Sequence, residues 1–358
     1  MIEDIEDQVT MIKREAGTPH LGSAQAAVAL AKGASALDAK WFVPRKMTAL
    51  ERDQAKKRLT DVAIVHPAYE TCLRAIASMH VARQNNGSAP RGMLITGLTG
   101  SGKSTIAKVY AQAYPRREEE ERTVIPVLYV ELSGQPTAKV IAECILSAMG
   151  DENAPRATAE QKLRRVLKLL VECRVELVIV DELNNMTDNL LPRVCDISAD
   201  TFKNLMNQSG VPHLFISGPS CRPYFVRNQQ LGRRCTPKVQ LRPFGMATSE
   251  DKRAFQRLLK ALELRLPFTE RSALVDVTVT GSLWFASFGL FGLLTQLVGE
   301  ALDLALQAEA STLTVAHLHE AFSTSIYEDC PSDRNPFDAT FNGSPLIKPG
   351  EPFCGFEA

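Results

Sequence analysis

The run Gly97-Leu98-Thr99-Gly100-Ser101-Gly102-Lys103-Ser104, continued by Thr105, has the spacing G-x-x-x-x-G-K-[ST]. Glycines at these positions let the backbone curl until successive N–H groups point at phosphate oxygens. The Lys103 ammonium would reach the terminal phosphates and the Ser104 hydroxyl would ligate Mg2+. A helix opening directly after the loop would offer its N-terminus to the same anion. The predicted ligands are therefore ATP and Mg2+.

Downstream, Asp181-Glu182 ends the apolar run LVIVDE. A carboxylate at a buried strand end beside a phosphate loop holds the metal's hydration shell, and Asp181, the first acid after the strand, suits that role. Glu182 would polarise the attacking water as general base. Further on, Ser217 closes the run HLFIS, with Ser220 three residues later. Ser217 is either a sensor of the γ-phosphate or a turn serine. The pair Arg233-Arg234 lies in NQQLGRRC just before a fifth apolar run. In an oligomeric ATPase such an arginine reaches a neighbour's nucleotide and stabilises transition-state charge. An exposed arginine pair is also an ordinary surface feature.

These residues need a scaffold that brings strand ends together. RGMLITG reads as a buried strand before the glycine-rich loop, and a helix opens over Gly102 to Tyr110. Val124–Leu132, Glu176–Val180, His213–Ser217 and Lys238–Arg242 are the other predicted strands. Helices separate them. One spans Gln161–Val171, with Leu163, Val166, Leu167 and Leu170 on one face and Lys162, Arg164, Arg165 and Lys168 on the other. That basic face is read as solvated, with nucleic acid as the sharper alternative. The pattern predicts an α/β fold with a mainly parallel five-stranded sheet wrapped by helices. After Pro243 strands stop, and a small all-helical unit follows. From Glu328 on, Pro, Asp, Asn and Gly dominate and predict a flexible tail. An Ala-rich stretch, Ser23 to Ala39, is predicted helical within a mixed leader.

Composition narrows the classes. The 358 residues are 45% hydrophobic and 23% charged, with 41 basic and 41 acidic side chains. That is ordinary globular composition, and any nucleic-acid surface must be local. From Ser272 to Asp333 there is no Lys or Arg but eight carboxylates: Asp276, Glu300, Asp303, Glu309, Glu320, Glu328, Asp329 and Asp333. The eight cysteines form no C-x-x-C pair, so neither zinc nor a disulfide framework is indicated, and reduced thiols suit a cytoplasmic location. His317 and His319 are two apart and make a poor metal pair on a helix. The start MIEDIEDQVT lacks a signal-peptide core. The uncharged stretch Gly281 to Gly299 is better explained by a buried helix pair than by a membrane span.

The order of phosphate loop, Asp-Glu strand end, sensor strand, arginine pair and helical lid resembles AAA+ ATPases. Within them, IVHPAYETCLRAI followed by RGMLITGLTGSGKST resembles the TniB/TnsC family of bacterial transposon target-selection ATPases. VLYVELSGQPTAK, VELVIVDELNNM, the LGRRC box and VQLRPF also resemble that family, over about residues 61–325. The resemblance implies a bacterial cytoplasmic, ATP-dependent DNA-binding protein. It would form homo-oligomeric rings or filaments on double-stranded DNA and recruit a transposase and a TniQ-type targeting partner. It also implies His66 and Pro67 near the adenine and Arg234 as the finger, with Arg233 as backup. Two departures stand out. SGPS replaces the relatives' frequent Gly-Thr-Pro turn, and the C-terminal unit, with no Lys or Arg from Ser272 to Asp333, offers no sensor arginine from that stretch.

The resulting division is an N-terminal extension (1–60), an AAA+ core (61–245), a helical lid (246–325) and a tail (326–358). Thr137 and Lys139, after the second strand, are the first candidates for DNA backbone contacts, because the acidic segment 272–333 repels phosphate. A replication-initiator-like or signalling AAA+ ATPase is the alternative, and a small-molecule P-loop kinase is a more distant one.

Overall fold

The computed structural model describes residues 46–60, 67–85, 92–151, 157–183 and 192–356. The Ala-rich stretch at 23–39 and His66 lie outside these residues. In chain order the described helices and strands run α1 (Ala49–Thr60), α2 (Pro67–Asn85), β1 (Gly92–Gly97), α3 (Lys103–Gln112), β2 (Arg117–Glu118), β3 (Thr123–Val124), β4 (Val127–Glu131), α4 (Ala138–Ala148) and α5 (Ala159–Glu172). They continue with β5 (Leu177–Asp181), α6 (Pro192–Ser209), β6 (His213–Ser217), α7 (Arg222–Arg227), α8 (Gln229–Arg234), β7 (Cys235–Leu241), α9 (Ser249–Glu263), α10 (Thr280–Ser287), α11 (Phe291–Gln307) and α12 (Val315–Ser325). The chain divides into two compact units. Among the described residues, one contains 67–85, 92–97, 103–151, 157–183 and 192–241; the other contains 46–60, 98–102 and 242–356.

The first unit is built on a five-stranded sheet in the order β4-β5-β6-β1-β7, parallel at every pairing. Helices cover such a sheet on both faces, so its strands are nearly continuous apolar runs. All five residues of β5 and all five of β6 are buried. The strand expected over Val124–Leu132 is divided. Pro126 has no N–H to give a ladder, so β3 pairs only with β2 and the sheet strand begins at Val127. The fifth strand begins three residues earlier than expected, at Cys235.

The second unit is helical. α10 and α11 are bent by 113° across Phe288–Leu290. Gly289 sits at that bend with φ 64°, and a Cβ there would lie 2.2 Å from the Phe244 carbonyl oxygen. Only glycine meets both conditions. Leu294, Leu297, Val298, Ala301 and Leu302 of α11 are buried in the unit's core. No single described helix is long and apolar enough to cross a membrane. Most of the uncharged stretch is buried or half-buried in this unit, with Gln296 exposed.

Two expected boundaries differ from the structure. Residues 46–60 are not a separate extension: Met47, Ala55 and Leu59 enter the second unit's core. Arg52 and Lys56 of α1 pair with Asp303 and Glu300 of α11, at 2.8 and 2.7 Å. Nor is the stretch after residue 326 a flexible tail. Leu346 and Phe353 are fully buried, and Arg334 ties the segment together through Glu351, Asn342 and the carbonyls of Ser344 and Pro345. A composition rich in Pro, Asn and Gly precludes helix and strand but not packing, because the segment's aromatic side chains still have a core to fill.

Candidate nucleotide site

β1 delivers the chain to Gly97, and α3 begins at Lys103. The turn between them depends on glycine at two points, Gly100 with φ 78° and Gly102 with φ 88°. Both values lie where side-chain-bearing residues are strained. The Ser101 N–H donates to the Leu98 carbonyl at 3.1 Å, closing the loop on itself. The Ser101 hydroxyl oxygen is buried with no hydrogen-bond partner among the described residues. A buried orphan of this kind is costly unless a ligand oxygen meets it. The Gly100 carbonyl accepts a 2.7 Å hydrogen bond from the Gly292 N–H in the first turn of α11, and a Cβ on Gly292 would lie 2.8 Å from the Gly100 Cα.

Lys103 is buried, and Ser104 and Thr105 follow it half-buried in the first turn of α3. Burial pushes the Lys103 ammonium below its ordinary range, while the charges of Asp181 and Glu182 oppose that push. The three predicted site residues therefore share one electrostatic environment. Asp181 is 2% exposed at the end of β5. Its Oδ1 accepts the Glu182 N–H at 2.8 Å, and its Oδ2 accepts the Tyr129 hydroxyl at 2.7 Å. Glu182 turns the chain off the sheet with φ 58°, a strained value for a side-chain-bearing residue. Strain at a half-buried acid beside a phosphate loop is the kind that functional sites retain.

Sheet order explains how distant residues converge. β6 lies between β1 and β5, so Ser217 ends a strand between the Gly97 and Asp181 strand ends, in register with Thr96. Ser217 is 1% exposed. Hard oxygen donors from one carboxylate and one hydroxyl fit Mg2+, which keeps several waters and binds few protein ligands. Among the described residues no group of three or more His, Cys, Asp or Glu side chains is placed to hold a metal ion.

Arg233 and Arg234 end α8 and lead into β7. Cys235 pairs with Gly92 at the start of β1, whereas Leu241 pairs with Gly97 at its end. At about 3.3 Å per residue, roughly 16 Å of strand separates the pair from its own phosphate loop. Arg233 is exposed, and Arg234 hydrogen-bonds Asn207.

A family model described as "Bacterial TniB protein" matches residues 56–246, more than half of the chain. The chain belongs to the bacterial TniB family. No curated protein matches it in sequence. Its fold is similar to Aeropyrum pernix ORC2 in its ADPNP-ADP complexes, with TM-score 0.54, 19% identity, and coverage of 77% of this chain and 72% of that one. It is also similar to Cdc6p from Pyrobaculum aerophilum, with TM-score 0.56, 12% identity and coverage of 76% and 70%. Aeropyrum pernix ORC1, solved in complex with DNA, gives TM-score 0.55, 18% identity and coverage of 78% and 70%. This TniB-family chain is an AAA+ ATPase.

Other residues singled out in the TniB-family sequence take less expected places. Pro67 is the first residue of α2. Thr137 is the N-cap of α4: its hydroxyl accepts the Val140 N–H at 3.3 Å. Lys139 stands exposed in the first turn of that helix. Every cation on the basic face of α5 has an acidic partner: Lys162 with Glu143, Arg164 with Glu160, Arg165 with Asp151, and Lys168 with Glu172 at 3.6 Å. Lys162 is in fact buried, because Glu143 of α4 draws it between the two helices. Sequence reasoning missed Tyr129 and Gly292. Tyr129 sits mid-strand in an apolar run, where a tyrosine reads as packing. Only the pairing of β4 with β5 reveals its partner.

Proposed function

We propose that this TniB-family ATPase binds Mg-ATP in the 97–105 loop and assembles with copies of itself on double-stranded DNA. In that state it recruits a transposase and a TniQ-type targeting protein to direct transposon insertion in the bacterial cytoplasm. In this reading Lys103 and the loop amides hold the phosphates, Ser104 and Asp181 hold Mg2+, and Glu182 orients and deprotonates the attacking water. Ser217 senses the terminal phosphate, and His66 and Pro67 lie near the adenine. Mg2+, when bound, neutralises charge developing on the β- and γ-phosphate oxygens.

The observation that carries assembly is the position of Arg233 and Arg234. They enter β7 at the strand end remote from their own phosphate loop, farther than one arginine side chain reaches. Arg234, with Arg233 as backup, therefore serves a neighbour's nucleotide. ATP bridging two copies drives assembly, and loss of the γ-phosphate loosens it.

The test mixes two defective variants. Lys103→Ala loses Mg-ATP binding by calorimetry, and Arg234→Ala binds nucleotide but turns it over slowly. Recovery of ATPase activity on mixing supports a finger acting between copies, whereas normal assembly and turnover by Arg234→Ala alone excludes it. DNA binding by the core is expected to use backbone phosphates near Thr137 and Lys139. It would weaken steeply with salt and show little base preference. Similarity of fold to ORC and Cdc6 proteins favours a second reading, a replication-initiator-like ATPase. ATP-dependent co-purification with a cognate transposase separates the two.

A further inference from the structure

Parallel pairing of β4 with β5 places Glu131 opposite Asp181 and Tyr129 opposite Ile179. Residues two apart on a strand share a face. Tyr129 is therefore diagonal to Asp181, within reach of a long side chain. Its neighbours Leu128 and Val130 point the other way and are buried. The Tyr129 hydroxyl donates to Asp181 Oδ2 at 2.7 Å, and the Glu182 N–H donates to Oδ1 at 2.8 Å. Each oxygen of the carboxylate thus has one fixed donor and keeps further acceptor capacity. The opposite side of the tyrosine is also occupied. Lys108, one turn beyond Ser104 on α3, sets its ammonium 5.5 Å from the ring centroid, within cation–π range.

A carboxylate gripped at one oxygen only can rotate about its Cβ–Cγ bond. Gripped at both, it presents a fixed pair of lone pairs. An apolar residue at 129 would pack equally well on β4, so packing alone does not call for the hydroxyl.

We propose that Tyr129 is a positioning residue for the metal-side carboxylate: it orients Asp181 toward the Mg2+ that accompanies ATP, and Lys108 seats its ring. This rests on the reading of Asp181 as the metal-side carboxylate. Partners that orient metal ligands typically contribute 10- to 100-fold to metal affinity. With one of two donors removed and most of the metal's ligands being water and phosphate, the lower end of that range applies.

The experiment uses the full chain and Mg2+ as probe. Binding of a fluorescent ATP analogue is followed as Mg2+ is titrated, for the natural protein, Tyr129→Phe, Asp181→Asn and the double variant. Nucleotide affinity in EDTA and the melting temperature are measured alongside. Tyr129→Phe keeps the ring and its contact with Lys108. It is expected to raise half-saturating Mg2+ about 10-fold, leaving EDTA affinity and melting temperature unchanged, and to add nothing in the Asp181→Asn background. If Asp181→Asn shifts the Mg2+ requirement and Tyr129→Phe does not, the positioning role is overturned. A lower melting temperature for Tyr129→Phe without a Mg2+ shift overturns it equally, since that is what packing alone predicts. If Asp181→Asn itself leaves the Mg2+ requirement unchanged, the failure lies with the assignment of Asp181.

Discussion

The two units use charge in opposite ways. In the first, Lys103 at the start of α3 shares one electrostatic environment with Asp181 and Glu182 at the end of β5; Lys103 is buried and Asp181 has both oxygens gripped. In the proposed function these groups serve a bound nucleotide. In the second, charge joins stretches of chain. The 272–333 stretch has no cation of its own, yet Arg52 and Lys56 reach Asp303 and Glu300 from about 250 residues earlier in the chain. Arg334 locks the segment that follows. An acidic sequence is thus not an acidic surface throughout: in the second unit the acids of 300–303 are paired by cations from elsewhere in the chain.

The contrast breaks most severely at Arg334. Arg334 and Glu351 are both nearly inaccessible, at 7% and 6%. Arg334→Ala leaves a carboxylate buried without its partner and should destabilise the second unit by about 3–5 kcal/mol. Denaturant unfolding followed by the fluorescence of Trp284 and Trp41 would record this. A loss near zero would mean that the segment after residue 326 contributes nothing to the unit.

The first unit has its own weak point, at His213. Burial pushes its imidazole down to about 4, partly offset by the Val211 carbonyl that accepts from it. The unfolded chain takes up a proton near pH 6.5, whereas the folded chain does so only near 4. In that window the unfolded state binds more protons, so stability is complete above about pH 7 and falls as pH drops from 6.5 toward 4. The loss should reach about 3 kcal/mol. His213→Asn should abolish that slope, as urea unfolding at pH 7 and pH 5 would show.

A third test separates chemistry from support. Glu182→Gln should keep Mg-ATP bound and slow turnover by about 100-fold, the scale of a lost general base. DNA-bound assemblies should then persist longer in a filter-binding chase. Turnover equal to the natural protein would remove Glu182 from the chemistry. The smallest effect is expected at Arg52→Ala. Its pair with Asp303 is part-exposed, so thermal unfolding should register a cost of less than about 1 kcal/mol.

Much of the first unit was legible in the sequence because its signals are local. There β5 and β6 declare themselves as apolar runs ended by Asp181 and Ser217; the glycine-rich loop, whose residues 98–102 belong to the second unit, is legible for the same reason, through backbone needs at Gly100 and Gly102. The 159–172 helix was visible from its periodicity, and its i,i+4 pairs from spacing, but the pairs of Lys162 and Arg165 from nothing local, since Glu143 and Asp151 lie outside it. The second unit was less legible. Its helices could be read, but its membership could not, because α1 and the 326–356 segment join it through contacts that leave no local pattern.

By itself the sequence determined that a glycine-rich loop follows the first strand, which side chains end the strands, and that the stretch 281–299 is uncharged and largely apolar. Those are properties of neighbouring residues: backbone freedom, periodicity and hydrophobicity. Only the tertiary structure decided which strand ends meet. It put Ser217 between Gly97 and Asp181, gave Asp181 the Tyr129 hydroxyl, and set Arg234 about 16 Å of strand away from its own loop. Strand order and register are set by which faces can be buried together across the whole sheet, and no single segment carries that information.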